Sequence, residues 1–169
     1  MKGLFCVFIF SAVSMFFTQA EMISGKCVGV SDGDTCRVLT PDKELLRVRF
    51  WGIDAPESKQ EFGQASKKAL SDLIFNKQIS LDVIGKDRYG RTLAKVYVGK
   101  KYVDLEMVKK GMAWHYAYFA KDAKDLAKAE KSARAKKLGL WKQSNPPPPW
   151  EWRRKDKKVS TSDLQKKKK

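Results

Sequence analysis

From Ile23 to Val98 the chain reads mainly as short apolar-rich runs separated by turn residues, a strand signature. Cys27-Val28-Gly29-Val30 and Thr35-Cys36-Arg37-Val38-Leu39 flank Asp32-Gly33-Asp34, and an Asp-Gly turn between two such runs predicts a hairpin. Leu45 to Trp51 continues as a third strand. Ile79-Ser80-Leu81-Asp82-Val83-Ile84 alternates as a half-buried strand does, and Leu93 to Val98 follows the Tyr89-Gly90 turn as a fifth. Three helical patterns break up or follow these strands. Phe62, Ala65, Ala69, Leu70, Leu73 and Ile74 recur at helical spacing, with Lys67, Lys68 and Asp72 outward. A short helix is predicted from an Asp104 N-cap to Gly111, and a third over roughly 122–138, with Gly139 placed to end it. Five short strands with an inserted helix predict an α+β fold, a five-stranded Greek-key barrel of the OB type with three helices.

The two ends follow other rules. Met1-Lys2 is a short positive start, Gly3 to Phe17 is almost wholly apolar, and Thr18-Gln19-Ala20 offers small residues for cleavage. This is a secretory signal peptide pattern, and its apolar run falls short of the ~20 residues of a membrane span. After Trp141 come Pro146 to Pro149, then Trp150, Trp152, Arg153-Arg154 and finally Lys166 to Lys169. The expected organisation is a signal peptide over 1–20, a folded domain over 21–142 and a flexible tail over 143–169, Pro-rich and then Lys/Arg-rich. Cleavage near Ala20 would leave a secreted or periplasmic protein with two cysteines. Cys27 and Cys36 flank the predicted hairpin turn, so a disulfide is expected; the alternative is two buried thiols.

Charge and chemistry narrow the function. Apolar residues make up 43% of the chain, enough for a core, while 35 Lys and Arg against 19 Asp and Glu give a formal charge of +16. Such a bias calls for a polyanionic partner, either nucleic acid or an anionic surface. The run from Arg49 to Glu57 concentrates one cation and two carboxylates, Asp54 and Glu57, at a strand end and a proline-marked turn. Asp34 and Asp54 come from different strands, and paired carboxylates suit a hard divalent cation. Glu57 has the chemistry of a general base, and Arg49 and Arg91 that of phosphate clamps. His115 is the only histidine, which excludes a two-histidine ribonuclease, and a lone histidine beside aromatics is more often structural. No Walker-type glycine loop and no cysteine–histidine zinc spacing occurs. Phosphodiester hydrolysis with one divalent ion, a carboxylate base and arginine clamps is the coherent chemistry.

Asp32-Gly33-Asp34-Thr35, Arg49 to Glu57 and Asp87-Arg88-Tyr89-Gly90-Arg91 together resemble the staphylococcal nuclease family. Val103 to Val108, Gly111-Met112-Ala113 and Leu138-Gly139-Leu140-Trp141 extend the resemblance over about residues 23–142. It implies Ca²⁺-dependent, sugar-nonspecific cleavage of DNA and RNA, single-stranded or frayed, to 3′-phosphate products by a monomer with no stable protein partner. It places the Asp34 and Asp54 side chains and the Ala55 carbonyl on calcium, with Asp32 nearby. It gives Arg49 and Arg91 the transition-state phosphate, Glu57 the attacking water, and Arg88 and Tyr89 the terminal phosphate side of the nucleotide. Tyr116 and Tyr118 are both candidates for the base-stacking ring. Alanine stands at 55, where many members have threonine; the two departures are that unplaced tyrosine and a shorter connection after Glu57 than the type member's mobile loop. A non-catalytic, basic OB-fold nucleic-acid-binding protein is the alternative.

Overall fold

The structure is a computed structural model that describes residues 22–155; the expected signal peptide and the Lys166–Lys169 block lie outside the described residues. Five long strands form the frame: β1 (Met22–Val30), β2 (Thr35–Leu39), β3 (Leu45–Phe50), β5 (Gln78–Lys86) and β6 (Thr92–Val98). Between β3 and β5 come β4 (Ile53–Asp54) and α1 (Gly63–Ile74). After β6 follow β7 (Lys101–Tyr102), α2 (Val103–Lys109), β8 (Trp114–His115), α3 (Lys124–Ala135) and a 3₁₀ turn over Gly139–Lys142.

Spatial order is β3-β2-β1-β5-β6-β7, and a parallel β3–β6 pairing closes the long strands into a barrel. Alternation decides what fills it. Cys27, Cys36, Val38, Val48, Phe50, Ile79, Leu81, Ala94 and Val96 point inward and are buried, whereas Arg37 and Arg47 point out. Bulges between Cys27 and Gly29 and between Val83 and Gly85 coil the longest strands enough to wrap. The expected OB-type α+β barrel is therefore present.

The hairpin does not carry the expected disulfide. Cys27 and Cys36 are free, buried thiols. The register sets Cys27 opposite Val38 and Cys36 opposite Val30, so the two sulfurs meet diagonally rather than as a facing pair. The Cys27 thiol also donates to the Gly29 carbonyl at 3.6 Å.

The helices keep their expected order with shifted faces and ends. In α1 the buried positions are Gly63, Ser66, Leu70 and Ile74, while Ala65, expected inside, is exposed. Ser66 takes the inner place because its hydroxyl donates to the Met112 carbonyl at 2.6 Å. Gly63 is required where it stands: a β-carbon there would collide with the Glu57 carbonyl, across the tight loop that leads into α1. Helix α3 ends at Ala135, a turn before Gly139. Lys137 takes the left-handed position with φ 51°, and the Lys137 and Leu138 amides reach back to the Arg134 and Ala133 carbonyls. His115 is structural: its backbone N–H donates to Glu130 at 2.6 Å, and its ring Nε2 lies 2.8 Å from the Ala120 carbonyl.

Asp104 does not cap α2, which begins one residue earlier. It is wholly buried, accepts the Val96 N–H at 3.1 Å through Oδ2, and its Oδ1 has no partner among the described residues. Burial pushes its carboxyl up to about 7, only partly offset by the Val96 N–H. An unfolded aspartate titrates near ~3.9. Between those values the folded protein holds a proton that the unfolded chain has released, so rising pH lowers stability until about pH 7 and then no further. Asp104→Asn keeps an acceptor for Val96 and cannot ionise. Urea unfolding should show the variant gaining on the parent by roughly 1 kcal/mol per pH unit between pH 5 and 7. A stability difference flat with pH would refute this.

Candidate active site

The closing of the barrel positions the site. Parallel pairing of Arg49 with Leu93 brings the end of β3 beside the start of β6, so Arg49 and the Asp87–Arg91 turn border one cleft. The chain bends at Trp51-Gly52 and pairs again as β4 with β8, Asp54 lying opposite Trp114. Asp54 thus belongs to a separate short ladder, not to the end of the third strand. Two-residue ladders carry no period, so the sequence gives no sign of this one.

Asp34 and Asp54 are bridged by one guanidinium. Arg49 Nη1 lies 2.8 Å from Asp34 Oδ1, and Nη2 lies 2.7 Å from Asp54 Oδ1. Nη1 also donates to the Ile53 carbonyl at 3.0 Å, which fixes the fork. Asp34 accepts the Ala55 N–H at 2.6 Å and the Thr35 hydroxyl at 3.0 Å, and Asp32 accepts the Asp34 N–H at 3.1 Å. Gly33 has no room for a side chain, because a β-carbon would strike Ser66 and Ala55. Burial raises the Asp34 carboxyl to about 6 despite Arg49, and burial raises Asp54 as well. Two buried carboxyls that resist ionisation together are a place where further positive charge is favourable.

The opposite wall is the Asp87–Arg91 turn. Asp87 accepts the Tyr89 and Arg91 backbone N–H groups at 2.8 and 3.0 Å, and its Oδ2 holds Arg91 Nε at 2.7 Å. Among the described residues the two terminal nitrogens of Arg91 make no hydrogen bond, and Arg91 lines the cleft. Arg88 and Arg91 lie 4.9 and 5.6 Å from the centre of the Tyr89 ring. Beyond β8, Tyr116, Tyr118 and Phe119 form an aromatic group with ring centres 5.0–5.9 Å apart. Tyr118 is 80% exposed, whereas Tyr116 is covered by Trp150.

All ten residues selected from the sequence line a single cleft of about 1140 Å³: Asp34, Arg49, Asp54, Ala55, Glu57, Arg88, Tyr89, Arg91, Tyr116 and Tyr118. What sequence reasoning missed is the far end of the chain. Residues 143–155, expected to begin a flexible tail, include helical residues 149–155, which bring Trp150, Arg153 and Arg154 to the cleft. Arg153 lies 2.8 Å from Asp54 and 2.7 Å from Glu57, and Trp150 and Arg154 also line the cleft. The signal was compositional: Trp150 and Trp152 are not residues of a purely solvated lysine tail.

The donor set fits a hard divalent cation. Asp34 and Asp54 offer carboxylate oxygens, and two such groups plus carbonyls and water satisfy the flexible geometry of Ca²⁺ or the tighter one of Mg²⁺. No group of three or more His, Cys, Asp or Glu encloses a common point among the described residues, so such an ion would draw its remaining ligands from backbone and water.

An OB-type barrel that gathers two buried aspartates, Glu57 and several arginines on one cleft has the groups that metal-assisted phosphodiester hydrolysis uses. Comparison with known proteins places it more closely. Residues 47–143 match the family model described as staphylococcal nuclease homologue. The chain is 49% identical to an uncharacterised endonuclease of Haemophilus influenzae over 83% of this chain and 78% of that one. It is 41% identical to a micrococcal nuclease of Shigella flexneri, covering 80% and 83% of the two chains. It is also 45% identical to a staphylococcal-like nuclease of Arabidopsis thaliana, over 64% of this chain and 33% of the longer plant protein. The chain belongs to the staphylococcal nuclease family and is a nuclease acting on nucleic acid.

Proposed function

We propose that this protein is an exported, Ca²⁺-dependent, sugar-nonspecific nuclease that hydrolyses DNA and RNA to 3′-phosphate products. The observation that carries the reading is the Arg49 fork across Asp34 and Asp54, with Glu57 and Arg91 on the same cleft. Catalysis, rather than binding alone, accounts for buried carboxylates in a site meant for a polyanion, since they would otherwise repel it.

Asp34, Asp54 and the Ala55 carbonyl would hold the ion, which when bound would supply Lewis-acid polarisation of a phosphoryl oxygen. Alanine at 55 keeps the carbonyl ligand and removes any hydroxyl contribution. Glu57 takes the proton of the attacking water on the substrate side of the cleft. Arg49 and Arg91 donate to the phosphoryl oxygens as negative charge builds on them in the transition state. Arg88 and Tyr89 contact the terminal phosphate side of the nucleotide. Tyr118, presented on Phe119 and Tyr116, stacks on a base; stacking is tolerant of base identity and requires an unpaired strand, which favours single-stranded or frayed substrates.

The test is cleavage of denatured DNA and of RNA with Ca²⁺, with Mg²⁺ and with a chelator. Cleavage is expected with Ca²⁺ and lost on chelation, with 3′-phosphate ends. Activity that survives chelation would remove the cation from the mechanism. For export, the mass of protein recovered outside the cytoplasm should lack residues 1–20; an intact N-terminus there would contradict a cleaved leader.

A further inference from the structure

Arg153 stands 99 positions from Asp54 and 96 from Glu57 along the chain, yet its guanidinium joins them. Nη2 meets Asp54 Oδ2 at 2.8 Å, while Nη1 meets Asp54 Oδ1 at 3.2 Å and Glu57 Oε1 at 2.7 Å. With Arg49 Nη2 on the same Asp54 Oδ1, both oxygens of the carboxylate are committed to arginines. These are the oxygens that a cation on Asp54 and a water on Glu57 need. The segment that carries Arg153 is seated by a hydrogen bond and by packing, with Pro146 and Pro149 buried. Gln60 Nε2 donates to the Pro147 carbonyl at 2.6 Å, and Trp150 packs on Tyr116 at 5.4 Å and against the apolar group of Trp114, Leu140 and Trp141. Gln60 belongs to the two tight turns, Glu57 to Gln60 and Gln60 to Gly63, that form the shortened connection into α1. Pro146 to Pro148 lead into the helical residues 149–155, and the prolines limit what the segment loses in entropy on seating. Arg153 is 41% exposed over a carboxylate, Asp54, that is 1% exposed, so the guanidinium covers the pocket from the solvent side.

We propose that residues 146–155 form a displaceable strap whose Arg153 guanidinium competes with the divalent cation for Asp54 and Glu57, so that the strapped site is closed to metal and substrate. Without a cation, Arg153 neutralises the pocket. When the cation loads, the guanidinium is released next to Arg154 at the mouth of the cleft, where both face incoming phosphates. The strap is therefore an autoinhibitory contact that metal turns into part of the polyanion-binding rim. This rests on the reading of Asp34 and Asp54 as the cation site.

The experiment is calorimetric titration of Ca²⁺ into the parent protein, Arg153→Ala and Trp150→Ala, with circular dichroism as a check on folding. A strap seated nine-tenths of the time weakens apparent affinity about tenfold, so both variants should bind about tenfold tighter. In the parent, Ca²⁺ should also speed tryptic cleavage after Arg153 and Arg154. Equal or weaker Ca²⁺ affinity in both folded variants overturns the strap while leaving the cation site standing. Absence of Ca²⁺ binding in all three proteins overturns the cation site itself and the competition with it.

Discussion

Glu57→Gln lowers kcat for single-stranded DNA by about 10²–10⁴-fold, the range that a positioned general base contributes. The effect falls on chemistry alone because of where Glu57 sits. Its backbone N–H is held by Gln60 Oε1 at 3.2 Å, a bond that the substitution leaves intact. Its carboxylate touches only Arg153 among the described residues, and its side chain is 38% exposed. Nothing buried is left unpaired, so stability should stay within about 0.5 kcal/mol. Glutamine keeps the length and an acceptor oxygen for Arg153 but cannot take a proton. KM should move only a few-fold, since the phosphate contacts of Arg49, Arg88 and Arg91 remain. Steady-state kinetics beside a thermal melt checks this; a variant within threefold of the parent kcat would take Glu57 out of the proton transfer.

The frame of this site was legible because each piece obeys a local rule. Alternation gave the five strands, and Asp-Gly and Tyr-Gly marked the turns that present Asp34 and Arg91. The parts that were not legible depend on contacts between distant segments. Whether Ser66 or Ala65 faces inward depends on a carbonyl 46 positions away. Asp104 looks like a cap until Val96 claims it. The β4–β8 ladder that aims Asp54 has two residues a side. Arg153 follows a proline run and precedes a lysine block, a setting in which solvation is the default expectation. Ion pairs spanning nearly a hundred residues leave no periodic trace. The resemblance to a family covered the barrel and stopped at about residue 142, short of the one segment that changes how the cleft is occupied.

The two arginines should separate when replaced, and the contrast tests both roles at once. Arg91→Ala removes a guanidinium whose only carboxylate partner among the described residues, Asp87, shares a partly exposed pair at 2.7 Å. Such a pair is worth about 0.2–1 kcal/mol, so the fold should barely register the loss. Turnover should fall about 10²–10³-fold, the cost of one donor to developing charge. Arg49→Ala should cost as much activity and, in addition, about 3–5 kcal/mol of stability, because it leaves buried Asp34 without its guanidinium and Asp54 with Arg153 alone. That second cost has a pH dependence of known sign. Burial already holds Asp34 up at about 6, and Arg49 is the chief influence pulling it down. Without Arg49 the carboxyl rises further, so near pH 5 it stays protonated and the variant is penalised least. As pH rises the folded protein must ionise a carboxyl that the unfolded chain ionises freely, and the deficit grows. Urea unfolding at pH 5 and pH 8, paired with single-turnover cleavage, reads both effects. An Arg49→Ala protein as stable as its parent at pH 8 would mean that the two carboxylates do not share this charge, and an Arg91→Ala protein of near-normal turnover would place Arg91 outside the transition state.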